Sequence, residues 1–194
     1  LEGGASLDKN KELVVAVQGD GEDLFGKILI FENDGSIRSE VVTDCFVGAR
    51  KFITVANIDN SDSLEILLAC SDYPNSYIDV YDNHGQRLDR ISIDYAIDSP
   101  GGYVGFIVDD IDRDGSLEII FSGYKIGGWN SHDLVVMDTK GNMLDGFPVL
   151  IEDRPYNQAV MPAVADFVGD DKKEIVLASH LHLDDHLTTV HMYN

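Results

Sequence analysis

Asp110-x-Asp112-x-Asp114-Gly115-x-x-Glu118 is the stretch of this chain best equipped for chemistry. Three carboxylates fall on alternate residues, a glycine permits a sharp bend, and a fourth carboxylate follows the bend. Calcium is a hard cation that takes about six to eight oxygen ligands, and this spacing offers four side chains plus the Ser116 carbonyl. The same acids have a second use. They can cap a tight turn by accepting backbone N–H bonds, with Glu118 beside the turn and away from any ion. Asp110, Asp112, Asp114, Ser116 and Glu118 are therefore the expected metal residues and calcium the expected ion, with turn capping as the alternative.

Other stretches offer less. Asn57, Asp59, Ser61 and Glu65 follow the same spacing, but Asp62 stands where the glycine should be. Asp166, Asp170 and Glu174 follow it too, but Val168 removes a ligand. Only Asp8 and Glu12 remain of a copy nearer the start. In these three, turn capping is the expected role. His180, His182 and His186 form a histidine-rich run. Two imidazoles on alternate residues of an extended segment point the same way and could hold zinc, although a polar loop with exposed imidazoles is the better expectation. There is no G-x-S-x-G stretch, phosphate-binding loop or dinucleotide fingerprint, and no nucleophile constellation.

The elements that carry these loops are repeated. The anchoring glutamates Glu12, Glu65, Glu118 and Glu174 lie 53, 53 and 56 residues apart. A second phrase follows each first one. It reads Ile28–Gly35, then Ile78–Gly85, then Leu134–Gly141, and finally Thr189–Asn194. Each is an apolar, β-branched run, and the first three close on a turn of Asn, Asp or Lys with Gly, as a strand entering a tight turn does. The second unit reads as strands a to d at about 52–58, 64–70, 77–82 and 87–93, and the third at about 104–111, 117–123, 132–138 and 143–150. No stretch keeps an apolar period of 3.6 residues, so no helix longer than a turn is expected. Four strands in a roughly 50-residue repeat is the pattern of a β-propeller blade.

The unit resembles the FG-GAP/VCBS repeats of integrin α-subunit heads and many secreted microbial proteins. Residues 104–121 carry the resemblance best and Ala163 to Ala178 next. It implies an all-β fold and a calcium-binding Asp-x-Asp-x-Asp-Gly-x-x-Asp loop, in which Glu118 replaces the last aspartate. It does not imply one function, since such repeats occur in adhesins, lectins, proteases and polysaccharide-degrading enzymes. The units fall at about 1–43, 44–94, 95–151 and 152–194 of a single 1–194 segment. The first lacks strand a and the last lacks strand d. The expectation is a partial β-propeller of four-stranded antiparallel blades, about three and a half in number, within a longer propeller or an assembly covering the end blades. Ile66, Ile119 and Ile175 should face an inter-blade core, and the first and last units should bare the apolar faces that a neighbour would cover.

Composition sets outer bounds. The chain has 194 residues and 44% hydrophobic content, enough for a substantial core. No apolar run of membrane-spanning length occurs, so no membrane insertion is expected. Fourteen Lys and Arg stand against 35 Asp and Glu, for a net charge of −21. Such a surface repels nucleic acid and anionic membranes. Two cysteines, Cys45 and Cys70, could form a disulfide in an oxidising compartment or serve as small buried hydrophobes.

In a propeller the a–b and c–d turns share one face, and the d–a and b–c connections share the other. The latter vary in length here, and variable loops on a rigid scaffold are where binding tends to sit. They hold Tyr73, Tyr95, Tyr103, Tyr124, Trp129, Tyr156, His180 and His182. Tyr103, beside a strand, is expected to pack between blades, and the others form the expected ligand face. Aromatics among polar groups suit sugar rings or a protein hot spot. The expected function is a non-catalytic extracellular, periplasmic or cell-surface recognition or adhesion module that binds protein or glycan. The alternatives are the propeller of a secreted polysaccharide lyase or hydrolase, or a scaffold for a catalytic domain. Arg and Lys are scarce on the loop face, which disfavours a lyase that must neutralise a uronate.

Overall fold

A computed structural model of the chain describes residues 12–17, 25–46, 53–72, 75–96, 105–125, 132–152, 158–159, 162–180 and 188–193. They form strands joined by turns, with no helix among the described residues. The chain divides into two compact units, Leu1–Ser92 and Ile93–Asn194. The division falls two residues from the expected boundary between the second and third repeats.

The first unit holds repeats one and two. Repeat one contributes β1 (Leu13–Val17), β2 (Phe25–Phe31) and β3 (Ile37–Phe46). Repeat two contributes β4 (Ile53–Ala56), β5 (Glu65–Asp72), β6 (Asn75–Tyr81) and β7 (Arg87–Ile93). All are linked in one sheet path, β1-β2-β3-β5-β6-β7, with β4 on β5. In the second unit, repeat three contributes β8 (Tyr95–Ala96), β9 (Phe106–Asp109), β10 (Glu118–Lys125), β11 (His132–Asp138) and β12 (Val149–Glu152). Repeat four contributes β13 (Gln158–Ala159), β14 (Ala163–Ala165), β15 (Glu174–His180) and β16 (Thr188–Tyr193). The expected a, b, c and d strands of repeat two are β4 to β7. Strand d of repeat three is shorter than expected. The chain turns at Asp145-Gly146, with Gly146 at φ +90°, and only Met143 bridges back to Met137 before β12 begins.

The repeats superpose in register as well as in sequence. Glu65 pairs with Ala56, Glu118 with Asp109 and Glu174 with Ala165. Six residues beyond each glutamate, strand b receives the incoming d–a connection. Ser71 takes Phe46, Tyr124 takes Ala96 and His180 takes Gln158. The far end of b is thus paired with the short strands β8 and β13 in repeats three and four, and with the end of β3 in repeat two.

Within each unit, side chains one and three residues past the glutamate of the later repeat face the earlier one, and Ile120, two past Glu118, faces repeat four. This follows from the two-residue period of a strand. In the first unit Ile66, Leu68 and Cys70 of β5, with Tyr77 and Tyr81 of β6, pack on Ile28 and Ile30 of repeat one. In the second unit Ile175 and Leu177 of β15 pack on Ile120, Leu134 and Val136 of repeat three. Ile66 and Ile175 occupy equivalent places in two separate clusters rather than one shared core. Ile119 is buried on the sheet face opposite Ile120.

A buried ionic network reinforces the contact between repeats one and two. Asp79 of β6 is 0% exposed. Arg90 Nε and Nη2 donate to its two carboxylate oxygens at 2.6 and 2.9 Å, and Tyr81 Oη lies 3.3 Å away. Asp44 of β3 accepts from Arg90 at 2.6 Å and from Arg87 at 2.8 Å. The Arg87 bond foremost, with Arg90, holds Asp44 below the usual carboxylate range against the opposing effect of partial burial. The Arg90 guanidinium also lies 3.8 Å from the centre of the Tyr77 ring. Cys70 is disulfide-bonded. The chain's other cysteine, Cys45, sits in β3, whose neighbour Phe46 pairs with Ser71.

Candidate metal centre

Each described a–b loop is closed by its glutamate. Glu65, Glu118 and Glu174 are all buried, and each accepts the N–H of the residue seven positions earlier. Ile58, Ile111 and Phe167 donate at 3.0, 3.0 and 2.8 Å. The third loop then turns through Arg113 and Gly115, both at positive φ. Asp112 accepts from Asp114 N–H, Asp114 from Ser116 N–H, and Asp110 Oδ2 from Gly115 N–H, at 3.1, 2.7 and 3.1 Å. These are the turn caps the sequence allows.

Capping does not exhaust the loop's oxygens. One carboxylate oxygen from each of Asp110, Asp112 and Asp114 lies within 4.8 Å of the others. Asp110 Oδ1 is buried and has no hydrogen-bond partner in the protein. A buried carboxylate oxygen without a donor is costly, and a bound cation would satisfy it. Glu118 is not in that convergent group; its Oε2 accepts the Ile111 N–H. Its pKa is pushed up by burial, opposed by the Ile111 hydrogen bond, and raised again by the charges of Asp112, Asp110 and Asp114. Of the five expected metal residues, three aspartates converge, Glu118 braces the loop, and Ser116 contributes a backbone N–H to Asp114.

The sister loops differ at the first position. Asn57 Nδ2 donates to Ser61 O at 2.5 Å, and its Oδ1 is buried and unpartnered like that of Asp110. Asp166 instead has both oxygens occupied, by the N–H groups of Gly169, Asp170 and Asp171. Burial opposes the lowering of its pKa, but those three bonds and Arg113 hold it below the usual range. Asp166, Asp170 and Glu174 also bring oxygens together. The orphan oxygen is therefore shared by loops two and three, which spacing alone could not distinguish from loop four.

On the opposite end of the strands, Tyr95 is 5% exposed and stands edge-on to Phe121, 6.3 Å between ring centres. Burial first, then Asp133, pushes its pKa up to about 12. Its ring is part of the sheet interior and not an open binding surface. Tyr124 and His180 lie in strands β10 and β15, at the positions that receive the d–a connections. Their side chains, and Tyr73, Tyr103, Trp129, Tyr156, His182 and His186, lie outside the described residues.

No protein-family model and no curated protein matches the chain. Among solved structures it is similar to the Vibrio cholerae biofilm matrix protein Bap1, with a TM-score of 0.51 and 18% identity. The match covers 98% of this chain and 35% of that one, so this chain spans about a third of its length. At that identity the likeness speaks to the fold, and the fold is all-β with antiparallel sheets.

Proposed function

We propose that this chain is a segment of an FG-GAP/VCBS-type β-propeller that serves as an extracellular recognition or adhesion module. It binds protein or glycan through its b–c and d–a loop face and carries calcium in the third a–b loop. The observation that carries the calcium is the orphan Oδ1 of Asp110, one of three aspartates whose carboxylates converge. The repeat geometry supports the propeller reading, because three repeats keep the same glutamate closure and the same pairing six residues on. The structural likeness to a biofilm matrix protein is consistent with adhesion. The disulfide at Cys70 suits an oxidising compartment.

Among the described residues, Arg38, Arg87 and Arg90 are each held by carboxylates. None of these three is free to neutralise a uronate substrate, which favours the binding reading over a lyase.

Calcium titration by calorimetry tests the metal, using the parent, Asp112→Asn and Asp170→Asn. The parent and Asp170→Asn should bind one tight calcium, and Asp112→Asn should lose it. A parent that shows no heat above that of magnesium would refute the site. An array of neutral and acidic glycans, probed with the parent and Trp129→Ala, tests the loop face. Equal binding by both, or by neither, would argue against a glycan role.

A further inference from the structure

Asp-Gly pairs occur in this chain at Asp20, Asp34, Asp114 and Asp145. Such a pair is open to attack by the glycine nitrogen on the aspartate side chain, because glycine has no Cβ to shield the nitrogen and turns freely. Asp20 lies outside the described residues. The other three pairs are exposed, and each glycine sits at positive φ. What differs is how the reacting groups are held.

At the first described pair, Asp34 Oδ1 accepts from the N–H and the hydroxyl of Ser36 at 2.8 and 2.6 Å. Gly35 N–H donates to Glu32 O at 3.0 Å. The Ser36 bonds hold the Asp34 carboxyl below the usual range, as the anion, which is a poor electrophile. At the second, Asp114 Oδ1 accepts from Ser116 N–H at 2.7 Å, and Gly115 N–H is committed to Asp110 Oδ2 at 3.1 Å. Both the electrophile and the nucleophile are latched in these two turns.

The turn at Asp145 has neither latch. Phe147 N–H closes it by donating to Leu144 O at 3.1 Å, with Gly146 at φ +90° in the third position, as in a type II turn. That bond bypasses the Gly146 N–H. Among the described residues, no hydrogen bond engages that N–H or the Asp145 carboxylate. A Cβ built on Gly146 meets nothing within 4 Å, so the space around the glycine is open.

We infer that Asp145 is a site of spontaneous isoaspartate formation and converts ahead of Asp34 and Asp114. Rotation about the Asp145 Cα–C bond brings the Gly146 nitrogen to Cγ. The N–Cγ bond forms, the nitrogen gives up its proton, the carboxyl loses its hydroxyl, and one water leaves as a succinimide closes. Water then adds to the main-chain carbonyl and breaks its bond to the nitrogen. The chain now runs through the side chain, and the water lost has been returned, so no oxidant or cofactor enters. The product has one more methylene in the backbone between Leu144 and Phe147. Both residues pack on the cluster that joins repeats three and four, and Leu144 N–H donates to Val136 O at 3.0 Å. Conversion therefore loosens the packing of repeat three on repeat four.

The test is ageing of the whole chain for weeks at mildly acidic pH, in chelator so that no metal guards Asp114. The parent and Asp145→Glu are compared, since glutamate keeps the charge but would have to close a larger, slower ring. Isoaspartate is counted by labelling with an isoaspartyl carboxyl methyltransferase and placed by electron-transfer fragmentation of the peptides. Opening two further hydrogen bonds slows the reaction by about tenfold, so Asp145 should convert at least about ten times faster than Asp34 or Asp114. The aged parent, separated by ion exchange, should melt a few degrees below the fresh protein, and aged Asp145→Glu should not. Conversion at Asp34 or Asp114 as fast as at Asp145, or none at Asp145, overturns the inference. Equal melting losses in the parent and Asp145→Glu overturn the link to repeat packing. None of these outcomes touches the recognition reading, which stands or falls on ligand and calcium binding.

Discussion

Gly35 and Gly85 make a matched pair for measuring how repeat one grips repeat two. Both close a c–d turn by donating N–H at 3.0 Å, to Glu32 O and Asp82 O respectively. Their φ angles are +84° and +85°. Alanine at either site pays the left-handed penalty of about 1–2 kcal/mol, offset by about 0.4–1 kcal/mol through the stiffer unfolded chain. Their surroundings differ. A Cβ at Gly35 meets nothing within 4 Å. A Cβ at Gly85 would lie 2.2 Å from Val41 Cγ2 and 3.2 Å from Ser39 Oγ. Both neighbours belong to β3, which reaches the same turn through Ser39 Oγ donating to His84 O at 2.9 Å. Carbon atoms rest at about 3.5–4.0 Å, so Val41 must swing aside, at an overpacking cost of about 1–3 kcal/mol. Gly35→Ala should therefore cost about 1 kcal/mol and Gly85→Ala about 2–4 kcal/mol in urea unfolding. Adding Val41→Ala to Gly85→Ala should recover part of the difference, whereas adding it to Gly35→Ala should only lower stability further. Equal costs for the two alanines, or no recovery, would refute the packing of β3 on this turn.

Two further perturbations probe the ionised groups. Glu118 has a raised folded-state pKa, so in the window just above the usual glutamate range the folded chain holds a proton that the unfolded chain has released. Its contribution to stability is full below that window and is lost as pH rises through it. In chelator, melting the parent and Glu118→Gln between pH 4 and 8 should show the variant gaining on the parent as pH rises; a constant gap would refute the raised pKa. In the ionic network, Arg90→Met leaves Asp79 buried without its guanidinium partner, beside the Arg87 contact at 3.6 Å and the Tyr81 hydroxyl. That should cost about 3 kcal/mol, the low end for breaking a buried pair, and Asp79→Leu with Arg90→Met should cost less than Arg90→Met alone. If the double variant were the less stable, the pair would be worth more than its desolvation.

The repeat was legible because its period, its glutamates and its turn glycines are all local patterns. Gly35, Gly85 and Gly141 sit at positive φ where the strand-to-turn phrases end. The a–b loop was legible as an acidic turn, but its division of labour was not. Spacing makes Glu118 look like a fourth ligand; the fold buries it and gives its Oε2 the Ile111 N–H. The Asn57 oxygen is orphaned like that of Asp110, a similarity that depends on which backbone amides each loop turns inward. Asp79 was invisible in sequence, because it occupies a strand position held by Leu29 in repeat one and Val135 in repeat three. Only the fold brings Arg87, Arg90 and Asp44 around it. Tyr95 looked like a loop aromatic because the short strand β8 has too few residues to show an alternating pattern.

The common glutamate closure also bears on what calcium can do. Loops two, three and four all hold their first turn through a buried carboxylate and a backbone N–H, and that bond needs no ion. The fourth loop goes further and spends its first aspartate on three amides. A cation in the third loop would therefore meet a turn already shaped, with Asp110 Oδ1 waiting unpaired and the repulsion among three aspartates still to be relieved. Binding to such a preorganised site stabilises the folded chain by mass action without being required for folding. In the proposed reading, calcium would add rigidity at one end of the strands and recognition would fall to the connections at the other.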